Sequence, residues 1–240
     1  MINENQYNTL ADIQVRDESM VRTFMTSVFS WMFIALAITA STAYFVASTP
    51  EILRLMITDT GLSIFGYVVM FAPIGFVLLM SFRFQKLSAI ALSGLFLVYS
   101  VLVGLSLSFI FLVYSMGSIA TTFGVTSLTF GIMAVAGYTT KTDLTKFGSI
   151  LMMALVGIII ASLVNFFLHS DSMQYIISFI GVLVFTGLTA YDVQKLRKMS
   201  SEMVAGQEST RKYAIMGALS LYLDFINLFL FLLRFLGRRN

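Results

Sequence analysis

The chain has 240 residues, of which 58% are hydrophobic and only 11% charged, with a formal net charge of +3. Soluble domains carry about 25% charged residues, so a water-soluble globular protein is excluded, and the length leaves no room for a large soluble domain beside several membrane spans. With no cysteine and a single histidine, His169, disulfides, thiolate metal sites and histidine metal clusters are excluded as well; in a membrane protein the small positive charge bears on orientation and not on nucleic acid.

Residues 1–23 are polar and mixed in charge. They lack the positive start, short apolar core and small-residue cleavage site of a secretory signal, and read as a cytoplasmic N-terminal tail. Residues 24–240 then read as one all-α, polytopic membrane domain of seven transmembrane helices. A helix needs about 20 apolar residues to cross the hydrocarbon. By that rule the spans fall at 24–47, 62–83, 87–112, 116–138, 147–168, 175–193 and 214–236.

Between the first two spans Pro50 suits a loop, while Pro73 falls inside "MFAPIGFV" and predicts a kink. Gly104, Gly124, Gly131 and Gly181 predict close helix contacts. His169 reads as an interfacial loop residue beside Asp171. The long polar insert, 195–212, reads as the loop before the last helix. The chain shows neither a fixed-period repeat nor a glycine-rich phosphate loop.

Cations mark alternate connections. Arg16 and Arg22 precede the first span, Arg83 and Lys86 follow the second, and Lys141 and Lys146 follow the fourth. Lys195, Arg197, Lys198, Arg211 and Lys212 lie between the sixth and seventh, whereas the other connections hold only Arg54. This asymmetry places the N-terminus in the cytoplasm. Seven full crossings then put the C-terminus outside. Arg238 and Arg239 pull the other way, toward a seventh segment that enters the bundle without crossing; the full crossing is the favoured reading.

Two carboxylates break the apolar pattern. Asp192 closes a long apolar run in "GLTAYDVQKLRK", and Asp224 sits inside "LSLYLDFINLFLFLLRF". A charged, unpaired carboxylate there costs several kcal/mol. Ser220, Asp224 and Asn227 share one helix face, which must look toward other helices or a water-filled path. Asp224 lies about 16 Å along the helix from Tyr213 at 1.5 Å per residue. With Asp192 near the inner end of the sixth span and Arg83 ending the second, the three charges can meet in the inner half of the membrane. Two carboxylates that meet cannot both ionise cheaply and would share one proton. At higher pH both would ionise and either separate or capture a cation such as Ca²⁺, which prefers oxygen ligands. The competing reading is structural: two buried aspartates that bond only to backbone, Tyr191 or Tyr222.

"GLTAYDVQKL" together with "ALSLYLDFINLFLFLLRFLG" resembles the signature of the Bax inhibitor-1 family, also called the transmembrane Bax inhibitor motif family. The likeness extends through "SFRFQKLS", "GYTTKTDLTKFG" and "ALVGIIIASLVNFFL", and is nearest to the bacterial inner-membrane branch. The resemblance implies a bundle whose last helix is central and wrapped by the other six. It implies a pH-sensitive Ca²⁺ leak with no resident cofactor, gated by an aspartate pair on helices six and seven and an arginine on helix two. Asp192 and Asp224 match the pair within their motifs, and Arg83 matches the arginine by its place before "FQK". Bacterial relatives are also tied to a membrane-bound protease, which makes a partner protein without conduction the alternative. An aspartyl protease would need a Gly-x-Gly-Asp motif where this chain has "LYLD", so the reading is not an enzyme.

Overall fold

A computed structural model describes residues 4–58, 61–201, 203–204 and 206–238, with side chains from Glu18 onward. Arg16 lies among residues whose side chains are not described, and Arg239 lies outside the described residues. Helix α1 spans Glu4–Ala47, followed by a short α2 (Pro50–Met56) and a two-stranded hairpin of β1 (Ile57–Thr58) and β2 (Gly61–Leu62). Then come α3 (Ile64–Arg83), α4 (Ala89–Leu107), the single turn α5 (Ile110–Val113), α6 (Met116–Thr139), α7 (Thr145–Leu168), α8 (Asp171–Ser200) and α9 (Glu208–Leu236). Seven of these stretches are long and apolar enough to cross a membrane, with α4 and α5 counting as one, Ala89–Val113.

The boundaries follow local chemistry. No glycine or proline interrupts residues 4–47, so α1 runs unbroken through the segment read as a separate tail. Ser63, Ser88, Ser115 and Ser170 open α3, α4, α6 and α8, each hydroxyl accepting from the backbone N–H three residues on. His169 closes α7 in the left-handed conformation, at φ 51°.

Two expectations are corrected, and one small element is added. Pro50 does not sit in an open loop but starts α2, where its missing N–H costs nothing. The antiparallel hairpin, with Ile57 opposite Leu62 and Thr58 opposite Gly61, adds a small strand element to an otherwise helical chain. Gly124 and Gly131 face open space, since a Cβ at either would meet no atom within 4 Å. Gly104 and Gly181 do mark close approaches, to Thr39 and to the Phe231 ring, since a Cβ added at either would lie 2.7 Å from the nearest atom. Gly137 against the Ala190 carbonyl and Gly148 against the Tyr191 ring are close approaches that the reading passed over. Pro73 sits within a helix that continues on both sides of it.

Helix α9 packs chiefly on α8, α1, α6 and α4, while α3 packs on α4 and α7 on α8. The core is built from buried side chains of α1, α4, α8 and α9, among them Met32, Phe96, Val193, Leu221 and Tyr222. One end of the bundle, the near end, carries the α3–α4, α6–α7 and α8–α9 connections. Two sets of bonds fasten it. The Gln194 amide spans the α6–α7 connection, accepting from Leu144 N–H (2.8 Å) and donating to the Thr142 carbonyl (2.7 Å). Beside it Lys198 pairs with Asp143 at 2.7 Å and Arg197 donates to the Tyr138 carbonyl. At the start of α9, Glu208 accepts from Ala89 N–H (3.2 Å) and Lys212 donates to the Gln85 carbonyl (3.1 Å). At the far end Arg238 N–H donates to the Ser118 hydroxyl (3.0 Å) and its carbonyl accepts from Ser115 N–H (3.4 Å). Helix α9 therefore runs the full height of the bundle.

Candidate functional site

Asp192 lies on α8 two turns before its end. The residues around it set its position: Gly187 and Gly148 let α7 close on α8, and Gly217 lets Leu196 close on α9. Helix α9 presents Ser220 and Asp224 one turn apart, on one face. Ser220 Oγ donates to Asp192 Oδ2 at 2.5 Å. Asp224 therefore stands one turn beyond the serine that binds Asp192, and the two carboxyls are neighbours whose charges act on each other. The two differ in setting. Asp192 is half-buried, whereas Asp224 is 5% exposed.

Asp224 Oδ2 is buried and has no hydrogen-bond partner among the described residues. An orphaned polar atom of this kind costs about 1–3 kcal/mol. Two carboxyls can hydrogen-bond to each other only when one of them carries a proton.

Asp192 also opens onto a cleft of about 320 Å³. Val77 and Ser81 of α3, Lys195 and Met199 of α8, and Met216 and Ser220 of α9 line it. Asp224 is not on its wall. One carboxyl thus faces an aqueous-sized space and its neighbour is sealed behind it.

The other expected members stand apart. Arg83, the last residue of α3, is exposed and makes no ion pair among the described residues. The expected contact between this arginine and the aspartates is not formed; at a helix end its long stem carries the charge toward water. Lys195 lines the same cleft as Asp192, and its Nζ lies 6.0 Å from the Tyr191 ring centre. Tyr191 hydrogen-bonds to neither aspartate and packs over Gly148. Tyr222 turns the opposite way, its hydroxyl 2.6 Å from Thr39 Oγ1, which in turn donates to the Ser100 carbonyl at 2.9 Å. Asn227 bonds its own helix, Nδ2 donating to the Leu223 carbonyl at 2.8 Å. Sequence reasoning also passed over Lys195, although a cation one turn beyond Asp192 was a readable signal.

The family model for the inhibitor of apoptosis-promoting Bax1 matches residues 21–240. The chain belongs to the Bax inhibitor-1 family. The inner membrane protein YbhL of Escherichia coli strain K12 is 46% identical over 231 residues, which cover 96% of this chain and 97% of that protein. An uncharacterized protein of Borreliella burgdorferi is 46% identical over 228 residues, covering 95% and 97% of the two chains. An uncharacterized membrane protein of Streptococcus pyogenes serotype M6 is 40% identical over 146 residues, covering 61% and 63%. Seven membrane-length helices and this kinship make the chain a polytopic membrane protein of the Bax inhibitor-1 family.

Proposed function

We propose that this family member is a pH-sensitive, Ca²⁺-permeable leak channel of the inner membrane whose gate is the Asp192–Asp224 pair. The observation that carries the proposal is the sealed, unpartnered Oδ2 of Asp224 beside Asp192. At low pH one proton is shared and the carboxyls hold α8 to α9. At higher pH the proton leaves. Two unit charges about 4 Å apart repel by roughly 4 kcal/mol at an effective dielectric of about 20. That repulsion is relieved by separation or by a cation.

The cleft beside Asp192 supplies the route. Ca²⁺ takes about six to eight oxygens, more than two carboxylates and the Ser220 hydroxyl provide. The pair therefore suits an ion in passage, completed by water, better than one held permanently. Arg83 stands outside this contact, and its part in the gate would be as a counter-charge to the ionised pair from the helix that contributes Val77 and Ser81 to the same cleft. The cation-rich connections support a near end and an N-terminus in the cytoplasm, and the E. coli relative supports the inner membrane. No catalytic role is assigned to the pair.

Flux of Ca²⁺ into dye-loaded liposomes, measured against pH, tests this. Wild-type protein should conduct more as pH rises through the titration of the pair. Asp192→Asn and Asp224→Asn should each flatten that response, because an amide neither shares nor loses the proton. An unchanged pH response in both variants removes the mechanism. Absence of flux at every pH, with retained binding to a membrane-bound protease, selects the partner-protein reading instead.

A further inference from the structure

A second polar site lies at the far end of the bundle, where α7 ends, α8 begins and α9 ends. There a cavity of about 580 Å³ is lined by Ser162, Asn165, His169, Asp171, Gln174 and Arg234. Phe166 and Ile177 form its apolar walls. None of these residues takes part in the aspartate pair.

The charges in this cavity are uncommitted. Arg234 is exposed, and its guanidinium carbon lies 5.9 Å from the Phe231 ring centre on its own helix. Asp171 is exposed at the first residue of α8. Among the described residues neither has an ion-pair partner within 4.0 Å, and they do not pair with each other. One space thus holds a cation and an anion kept apart. Asn165 Oδ1 is occupied by Ser170 N–H at 3.1 Å, which leaves its amide hydrogens to donate. His169 is fixed by its left-handed backbone and by Nδ1 at 3.2 Å from the Phe167 carbonyl, leaving Nε2 unused.

The site sits at three helix ends, the depth of lipid headgroups. Phe167 (73% exposed), Leu168 (63%) and Tyr175 (57%) flank it with apolar surface. A ligand for this place carries both charges at one end and hydrocarbon beside them. We propose that this cavity binds the zwitterionic phosphoethanolamine headgroup of a membrane phospholipid. Arg234 takes the phosphate through its planar fork, with Asn165 and Gln174 as further donors. Asp171 accepts from the ammonium. The acyl chains lie along Phe167, Leu168 and Tyr175. A purely anionic lipid engages Arg234 but sets its charge against Asp171, so the two carboxyl-facing and guanidinium-facing halves of the cavity select a zwitterion.

The test uses the full chain in detergent, with retention of added lipids followed by native mass spectrometry and by the thermal unfolding midpoint. The probes are phosphatidylethanolamine, phosphatidylglycerol, soluble phosphoethanolamine and inorganic phosphate. Wild-type protein should retain phosphatidylethanolamine in preference to phosphatidylglycerol. Arg234→Gln should weaken retention of both by roughly tenfold, the effect of losing a charge-assisted contact. Arg234→Lys, which keeps the charge without the fork, should fall between them and guards against a misfolded glutamine variant. Asp171→Asn should equalise the two lipids while keeping phosphatidylglycerol binding. Equal retention of both lipids by the wild type overturns the proposal, as does an undiminished preference in Asp171→Asn. Protection by soluble phosphoethanolamine or phosphate equal to that of the lipid also overturns it, since the ligand is then not a lipid. The outcome is independent of Ca²⁺ flux, so the two readings fail separately.

Discussion

Helices α7 and α9 are both long apolar spans, yet they meet different surroundings. In the most apolar stretch of α9, 72% of the residues are buried inside the bundle; in α7 the share is 11%. The more hydrophobic of the two is the one that faces outward. In water this order would be reversed, because burial would reward the more apolar helix. In lipid the tails are as apolar as leucine, so hydrophobicity no longer sorts helices between inside and outside. What sorts them is polarity and shape. Helix α9 carries Ser220 and Asp224, which need protein partners, and Tyr222, whose hydroxyl finds Thr39. Helix α7 carries Ile, Leu, Met and Phe along most of its exposed surface, which hydrocarbon satisfies, and keeps Ser162 and Asn165 toward its far end.

The contrast predicts an order of sensitivity. The largest effect belongs to Gly137→Ala, where the added Cβ runs into the Ala190 backbone of α8. Backbone cannot swing aside, so the cost should be about 1–3 kcal/mol of unfolding free energy. Gly157→Ala on α7 meets nothing within 4 Å. It should be neutral or stabilising by up to about 1 kcal/mol, through helix propensity alone. Thermal or denaturant unfolding in detergent measures both, and equal losses would break the comparison. Tyr222→Phe should cost about 1 kcal/mol, because Thr39 keeps its bond to the Ser100 carbonyl. A cost near zero would mean that the buried hydroxyl contributes little to holding α1 on α9.

The smallest effect belongs outside the membrane. Hydrogen bonds from Lys198, and then from Thr145, hold the Asp143 carboxyl below the usual carboxylate range. A carboxyl whose native titration is lowered adds stability above its ordinary pKa of about 3.9 and loses it as pH falls further. Both partners are exposed, 54% for Lys198 and 66% for Asp143, so the contribution is screened by salt. Asp143→Asn should barely change the unfolding midpoint at pH 7, and should remove only the shallow decline below pH 4. A large loss at pH 7 would show that the near-end fastenings matter more than the buried packing.

Much of the fold was legible in the sequence. Most span boundaries read from hydropathy lie within a few residues of the helices, because twenty apolar residues have few alternatives in lipid. Hydropathy ends the sixth span at 193, but the helix runs to Ser200, since Val193 and Leu196 keep a buried face after the apolar run has stopped. The connection at 48–63 hid a helix and a hairpin too short to leave a periodic signal. The two aspartates were legible as exceptions, and their neighbourhood followed from helix depth. Their separate settings were not. Nothing in "TAYDVQ" or "YLDFIN" tells which carboxyl faces the cleft, because that depends on how far α8 is rotated against α9. Asn227 shows the limit of the periodicity argument: it shares the face, yet satisfies its amide within one turn.

The near-end fastenings fall into two sets that meet at the α8–α9 packing. Gln194, Arg197 and Lys198 stitch α8 to α6 and α7, while Glu208 and Lys212 stitch α9 to α3 and α4. Asp192 belongs to the first block and Asp224 to the second. Slippage of one block against the other stretches the Ser220–Asp192 bond and leaves every stitch intact. The Ser220–Asp192 bond is thus a polar tie between the two sets, added to the apolar packing of α8 on α9.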